Sequence, residues 1–142
     1  MMISSKGRYA LRVMIDLAEY ADEGYIPLQT IAARQGISEK YLESILAVLS
    51  KARLLDAVRG KGGGYRLSRP AKDYTAFEIL SLTEGTLAPV TCLESGQQCE
   101  NAENCRTLPL WQGLDRTIAA YLGSYTLEDL ARMEKPLQHA EL

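Results

Sequence analysis

The stretch VRGKGGGYRL, residues 58–67, constrains this chain more than any other. Four glycines fall within the five residues GKGGG. Glycine reaches positive φ without a Cβ clash, so such a cluster suits the tip of a hairpin. Residues 55–59 and 65–67 then read as two short strands around that tip. The cluster is not a phosphate loop, because the G-x-x-x-x-G-K-[ST] spacing is absent. Arg59, Lys61, Arg66 and Arg69 make the hairpin basic.

What precedes the hairpin sets its context. Residues 5–21 place Tyr9, Ala10, Val13, Met14, Leu17, Ala18 and Ala21 at helical spacing, with Ser4 or Ser5 as a cap and Gly24 as a stop. Residues 25–27 form an extended link, since a residue before proline avoids helical geometry. LQTIAARQ is a short helix closed by Gly36. A longer helix follows, with Ser38 at its N-cap and Glu39 at the positive end of the dipole. Tyr41, Leu42, Ile45, Leu46 and Leu49 form its apolar stripe, leaving Lys40, Glu43, Ser44, Ala47 and Lys51 on other faces. Two helices joined through a glycine turn predict a helix-turn-helix. With a basic hairpin directly behind it, the layout is a winged helix, whose second helix enters a major groove while the wing follows phosphates or the minor groove.

After Pro70 the character changes. Thr75 and Glu78 have capping-box spacing and open a helix through Glu84, with Gly85 as its stop. Residues 91–106 lack periodicity and read as a loop. Thr107 caps the next helix with Pro109 at its first helical position, a favoured place for proline, and Leu110, Trp111, Leu114, Ile118, Tyr121 and Leu122 are its apolar face. That face is wide for so small a segment, which predicts a two-fold dimer crossing at this helix. A last helix follows Thr126. The expected fold class is mainly α: a winged helix-turn-helix domain over 1–72, a sensing loop and dimerisation helices over 73–135, and a polar tail over 136–142.

Charge divides along the same line. Residues 1–72 carry twelve Lys/Arg against seven Asp/Glu, while residues 73–142 carry four against eleven. A basic half beside an acidic one suggests a polyanion-binding part and a separate sensing or partner part. No apolar run approaches a bilayer span, so a cytoplasmic protein with no membrane partner is expected. There, clustered thiols more often bind metal or sense redox than staple a fold. All three cysteines, Cys92, Cys99 and Cys105, fall in CLESGQQCENAENC, an odd count that leaves one thiol over from any internal disulfide. With a single histidine, His139, in the polar tail, there is no Cys–His pair and no other catalytic motif, so no enzyme is expected.

ISSKGRYAL, ISEKYLESIL and VRGKGGGYRL resemble the IscR/CymR/NsrR group of bacterial winged-helix transcription regulators, the Rrf2 family. The resemblance runs on through FEILSLTEG, the cysteine loop, LW at 110–111 and TLEDL, covering about residues 2–133. It implies a homodimer that represses or activates promoters from a palindromic double-stranded DNA operator. Carried over by position, it implies that Ser38, Tyr41, Glu43 and Ser44 face DNA, with Lys40 beside them on the same helix. It makes Arg59 the wing arginine for a minor groove, with Lys61, Gly62, Gly63 and Gly64 allowing close approach, and sets Lys6 and Arg8 near phosphates.

The cysteine trio resembles that of the family's iron–sulfur members, implying a cluster held by Cys92, Cys99 and Cys105, with two irons favoured and four possible. The chain departs from the pattern at the fourth ligand. Leu108 stands where IscR-type members have histidine, and Arg8 where NsrR-type members have a carboxylate. A carboxylate from Glu94, Glu100 or Glu103, a partner chain or a small molecule could complete the site. Zinc on three thiolates plus water, or a reversible disulfide with no cluster at all, are the other readings. CymR members act in cysteine metabolism through a partner enzyme, which makes a metabolic-enzyme partner a further alternative.

Overall fold

Ser4 adopts extended geometry, and its hydroxyl accepts from the Gly7 N–H at 3.1 Å, opening helix α1 (Ser5–Glu19). This is seen in a computed structural model that describes residues 3–94 and 102–134. α1 ends two residues earlier than its periodicity suggests, because a 3-10 turn over Ala21–Glu23 takes up the remainder before Gly24. Helices α2 (Leu28–Gln35) and α3 (Glu39–Lys51) are joined at Gly36, which is left-handed at φ 65° and ψ 35°. Ser38 caps α3 by accepting from the Tyr41 N–H at 3.1 Å.

The wing is an antiparallel pair, β1 (Leu55–Val58) and β2 (Gly64–Leu67), with Leu55 opposite Leu67 and Val58 opposite Gly64. Arg59 therefore lies just beyond the strand, in the turn. The extended link forms a third rung: Ile26 and Tyr65 exchange N–H···O bonds at 2.9 Å in both directions. Gly64 makes this possible. It is buried, and a Cβ there would collide with the Ile26 carbonyl. Its missing side chain serves the packing of the wing on residue 26.

Five more helical pieces follow among the described residues: a 3-10 turn over Ala71–Asp73, α4 (Ala76–Glu84), a 3-10 turn over Thr91–Leu93, α5 (Leu108–Gly123) and α6 (Leu127–Arg132). The expected capping box of α4 is half made. The Thr75 hydroxyl accepts from the Glu78 N–H, but the Glu78 carboxylate turns to Arg69 at 2.7 Å. At α5 the expected cap does not form. Pro109 occupies the second helical position, and the Thr107 hydroxyl sits 3.4 Å from the Cys105 sulfur rather than on the helix backbone. α6 carries the reciprocal box, between Thr126 and Asp129.

One hydrophobic core runs past residue 72. Tyr74, Ile79 and Leu127 are fully buried and pack with Val13, Met14, Leu42, Ile45 and Leu46 of α1 and α3. The Tyr74 hydroxyl donates to the Leu54 carbonyl at 2.7 Å and accepts from the N–H groups of Ser68 and Arg69 at 3.1 Å each. α6 is tied to the start of α4, as the Leu127 N–H donates to Tyr74 at 2.9 Å and the Ala76 N–H to Tyr125 at 3.0 Å. The one buried acid of the described residues, Asp16, accepts from Arg34 at 2.7 and 3.0 Å and from the Gln35 amide at 2.9 Å, fixing α1 to α2.

Candidate nucleic-acid interface

Capping and core packing together decide which side of α3 remains outside. Leu42, Ile45, Leu46 and Leu49 are buried, so Lys40, Glu43 and Ser44 face solvent with Ser38 at the N-terminal end. The Ser44 hydroxyl donates to the Tyr41 carbonyl at 2.7 Å, leaving its lone pairs outward. Tyr41 serves two sides at once. Its half-buried ring stands edge-on to Tyr9, with centroids 5.8 Å apart and planes at 88°, yet it lies on the turn that carries the exposed residues. The apolar-stripe reading and the surface reading of Tyr41 therefore both describe part of it.

The open groove beside α3 is closed on its far side by the wing. Glu39, Glu43 and Ala47 line one wall, and Val58, Arg59 and Gly62 the other. The turn itself is pinned by the Gly63 N–H donating to the Gly60 carbonyl at 3.0 Å. Of the hairpin's four cations, two are engaged within the fold. Arg66 lies 3.7 Å from Asp56 and over the Tyr25 ring, and Arg69 pairs with Glu78 over the Tyr74 ring. Arg59 and Lys61 are exposed and make no ion pair among the described residues. At the start of α1, Lys6 is half-buried, while Arg8 is exposed and donates to the Ser5 hydroxyl at 3.1 Å. Lys40 and Lys51 are solvated.

Two of the three thiols are described, and Cys99, Glu100 and His139 lie outside the described residues. Cys92 is half-buried in the turn over Thr91–Leu93. Cys105 is half-buried just ahead of α5. Hydrogen bonds from the Thr107 hydroxyl, and then from the backbone N–H groups of Thr107 and Leu108, hold its thiol below the ordinary value against a smaller opposing effect of desolvation. That favours thiolate, the form that binds metal. Glu94 is half-buried and Glu103 exposed. Among the described residues no three His, Cys, Asp or Glu side chains come together as a metal site. The chemistry of the donor set, soft thiols with one already biased to thiolate, fits iron–sulfur or zinc.

The expected apolar face of α5 is divided in two. Ile118 faces inward and lines a cavity with Phe77 and Leu93, and Trp111 and Leu122 are half-buried. Leu110, Leu114 and Tyr121 lie along the other side and are 61%, 40% and 61% exposed. No residue of α5 is buried.

Some contacts behind α3 carry no sequence signature. Arg12, which lies over the Tyr9 ring, and Gln35 come together only through the crossing of α1 and α2. Only the i, i+3 spacing of Tyr9 and Arg12 hints at their pairing.

Residues 3–133 match the model of the Rrf2 family, described as iron-dependent transcriptional regulators. The HTH-type transcriptional regulator IscR of Xenorhabdus nematophila is 38% identical over 141 residues, covering 99% of this chain and 85% of that protein. Among solved structures, CymR, the global cysteine regulator of B. subtilis, matches with a TM-score of 0.78 at 38% identity, over 95% of this chain and 99% of that one. T. potens IscR matches with a TM-score of 0.72 at 34% identity, over 96% and 94%. These relatives are regulators rather than enzymes, and no helix of the described residues is long and apolar enough to cross a membrane. The solvent face of α3, the basic wing and this kinship agree: the chain belongs to the Rrf2 family and is a winged-helix, DNA-binding transcriptional regulator of the IscR/CymR type.

Proposed function

We propose that this regulator works as a homodimer on a palindromic operator, with occupancy set by an iron–sulfur cluster held by Cys92, Cys99 and Cys105. The observation that carries the DNA mode is the pairing of α3's exposed face with Arg59 across one groove, with exposed Lys61 in the adjoining turn and neither cation ion-paired among the described residues. Arg59 enters a narrow, electronegative minor groove while α3 lies in the adjacent major groove. Glu43 accepts from a cytosine amino group, and Ser44, whose proton is committed to Tyr41, also acts as an acceptor. Ser38 and Tyr41 retain hydroxyl protons for phosphate oxygens, and Lys6, Arg8 and Lys40 add long-range attraction. Gly62 keeps the wing tip free of side-chain bulk. Dimerisation through Leu110, Leu114 and Tyr121 brings two copies of α3 to successive half-sites.

The cluster reading is supported by the thiolate bias at Cys105 and by the place of the thiols in the chain, between α4 and α5. When bound, such a cluster supplies a redox couple tuned by its ligands and exposure. Cys92 and Cys105 would then link the turn after α4 to the start of α5, so gain or loss of the cluster changes the freedom of the dimer helix. A coupling of about 2–3 kcal/mol there alters operator occupancy roughly a hundredfold. A metal-free thiol switch is the second reading, favoured by Leu108 and Arg8 standing where relatives keep a fourth ligand.

Two measurements test this. On a duplex selected by the wild-type protein, Arg59→Ala weakens binding by about 1–3 kcal/mol, and unchanged affinity removes the wing from the interface. Anaerobic purification, followed by absorption spectroscopy and iron and sulfide analysis, returns a coloured protein that Cys92→Ala bleaches. A colourless, metal-free dimer whose DNA binding responds to oxidant instead establishes the thiol switch.

A further inference from the structure

Tyr41 raises a question that its place on α3 does not answer. Its ring is half-buried, while its hydroxyl makes no hydrogen bond among the described residues. A tyrosine held loosely there would have to be ordered each time DNA bound, at the expense of affinity. The side chains behind it form a continuous chain. Tyr9 meets Tyr41 edge-on at 5.8 Å, so rotation of either ring is coupled to the other. The Arg12 guanidinium lies 4.7 Å from the Tyr9 ring centroid. The same guanidinium donates to the Gln35 side-chain carbonyl at 3.1 Å and to its backbone carbonyl at 3.0 Å. The Gln35 amide in turn donates to buried Asp16 at 2.9 Å.

We propose that Arg12, Tyr9 and Gln35 form a bracket that presets the Tyr41 ring for DNA, making Arg12 a positioning residue of the interface. Arg12 engages the last residue of α2, immediately before the Gly36 turn, and also faces the aromatic that braces the first turn of α3. One planar group therefore fixes both the tight turn of the helix-turn-helix and the tyrosine that follows it. Lysine cannot do this, because it has neither the flat face for Tyr9 nor the two-pronged reach to Gln35. The inference rests on the proposal that the Tyr41 hydroxyl meets DNA.

The test is a double-mutant cycle read by fluorescence anisotropy, on a duplex selected from a random pool by the wild-type protein. Tyr41→Phe removes the hydroxyl and keeps the ring. Arg12→Ala and Arg12→Lys each weaken binding about three- to tenfold, yet cost less than about twofold once Tyr41→Phe is present, and the salt slope of Arg12→Lys stays at the wild-type value. Wild-type affinity for Tyr41→Phe overturns the DNA reading of Tyr41 and the bracket with it. A weakened Tyr41→Phe beside an unaffected Arg12→Lys overturns the bracket alone. Full additivity, with Arg12→Ala lowering the salt slope by about one, makes Arg12 a phosphate contact and likewise overturns the bracket.

Discussion

α3 and α5 are helices of 13 and 16 residues with apolar stripes, yet α3 buries four residues and α5 buries none. α3 is closed in by α1, α2, the wing and α4, so its apolar side is spent inside the chain and its polar side faces solvent, where we place DNA. α5 meets α4 along one edge and leaves Leu110, Leu114 and Tyr121 open. The difference shows that an apolar stripe states a demand for a partner without saying where that partner is. For α3 it lies within the fold, and for α5 we place it on a second copy.

The largest effect belongs to the closed region. Tyr74→Ala removes a fully buried ring and the hydroxyl that serves three backbone groups, costing about 3–5 kcal/mol in urea unfolding. Tyr74→Phe isolates the hydroxyl's share, about 1–3 kcal/mol. If Tyr74→Ala unfolds with wild-type stability, the core does not extend past residue 72 as described. The matched substitution in the open region, Leu114→Ala, loses about 1–2 kcal/mol per copy from association. It is read as a weaker dimer by sedimentation with little change in the unfolding slope. An effect on unfolding but none on assembly would move Leu114 to the closed class.

Asp16→Asn probes the join between α1 and α2. It leaves the Arg34 guanidinium without its buried carboxylate and costs about 2 kcal/mol of stability. Ser38→Ala removes the α3 cap and costs about 1 kcal/mol. A loss of DNA binding well beyond that stability change would show that the Ser38 hydroxyl also contacts phosphate.

The smallest effect is at α6. Hydrogen bonds from Thr126, backbone first and then side chain, hold the Asp129 carboxyl below its ordinary value. A carboxyl depressed in the folded state contributes stability that is complete above its unfolded pKa and is lost as pH falls through the folded value. α6 therefore loosens only in acid, below the usual aspartate range, as amide exchange at Leu127 and Leu130 would report. Loosening near neutral pH would assign the stability of α6 to another group.

Much of this comparison was legible in residue order because local backbone chemistry writes it there. Gly36, Ser38, Thr75, Thr126 and the GKGGG turn each act within a few residues, and each marks an element boundary in the fold. The resemblance carried the family, while α5's stripe read as one face and the fold divides it, Ile118 inward and Leu110, Leu114 and Tyr121 outward. What escaped depends on chain segments meeting at a distance. Tyr74 draws together residues 54, 68 and 69, and Arg69 takes the Glu78 carboxylate that spacing assigned to a capping box. The Thr107 hydroxyl faces Cys105 instead of capping α5, a preference set by the thiol's position. The clearance that Gly64 gives Ile26 likewise depends on two segments meeting.

The most direct test of the central claim is sedimentation equilibrium of the free protein from nanomolar to tens of micromolar. The account predicts a species of twice the 15.7 kDa chain mass that Leu110→Glu with Leu114→Glu converts to folded monomer. A wild-type chain that stays at 15.7 kDa across the whole range would contradict it.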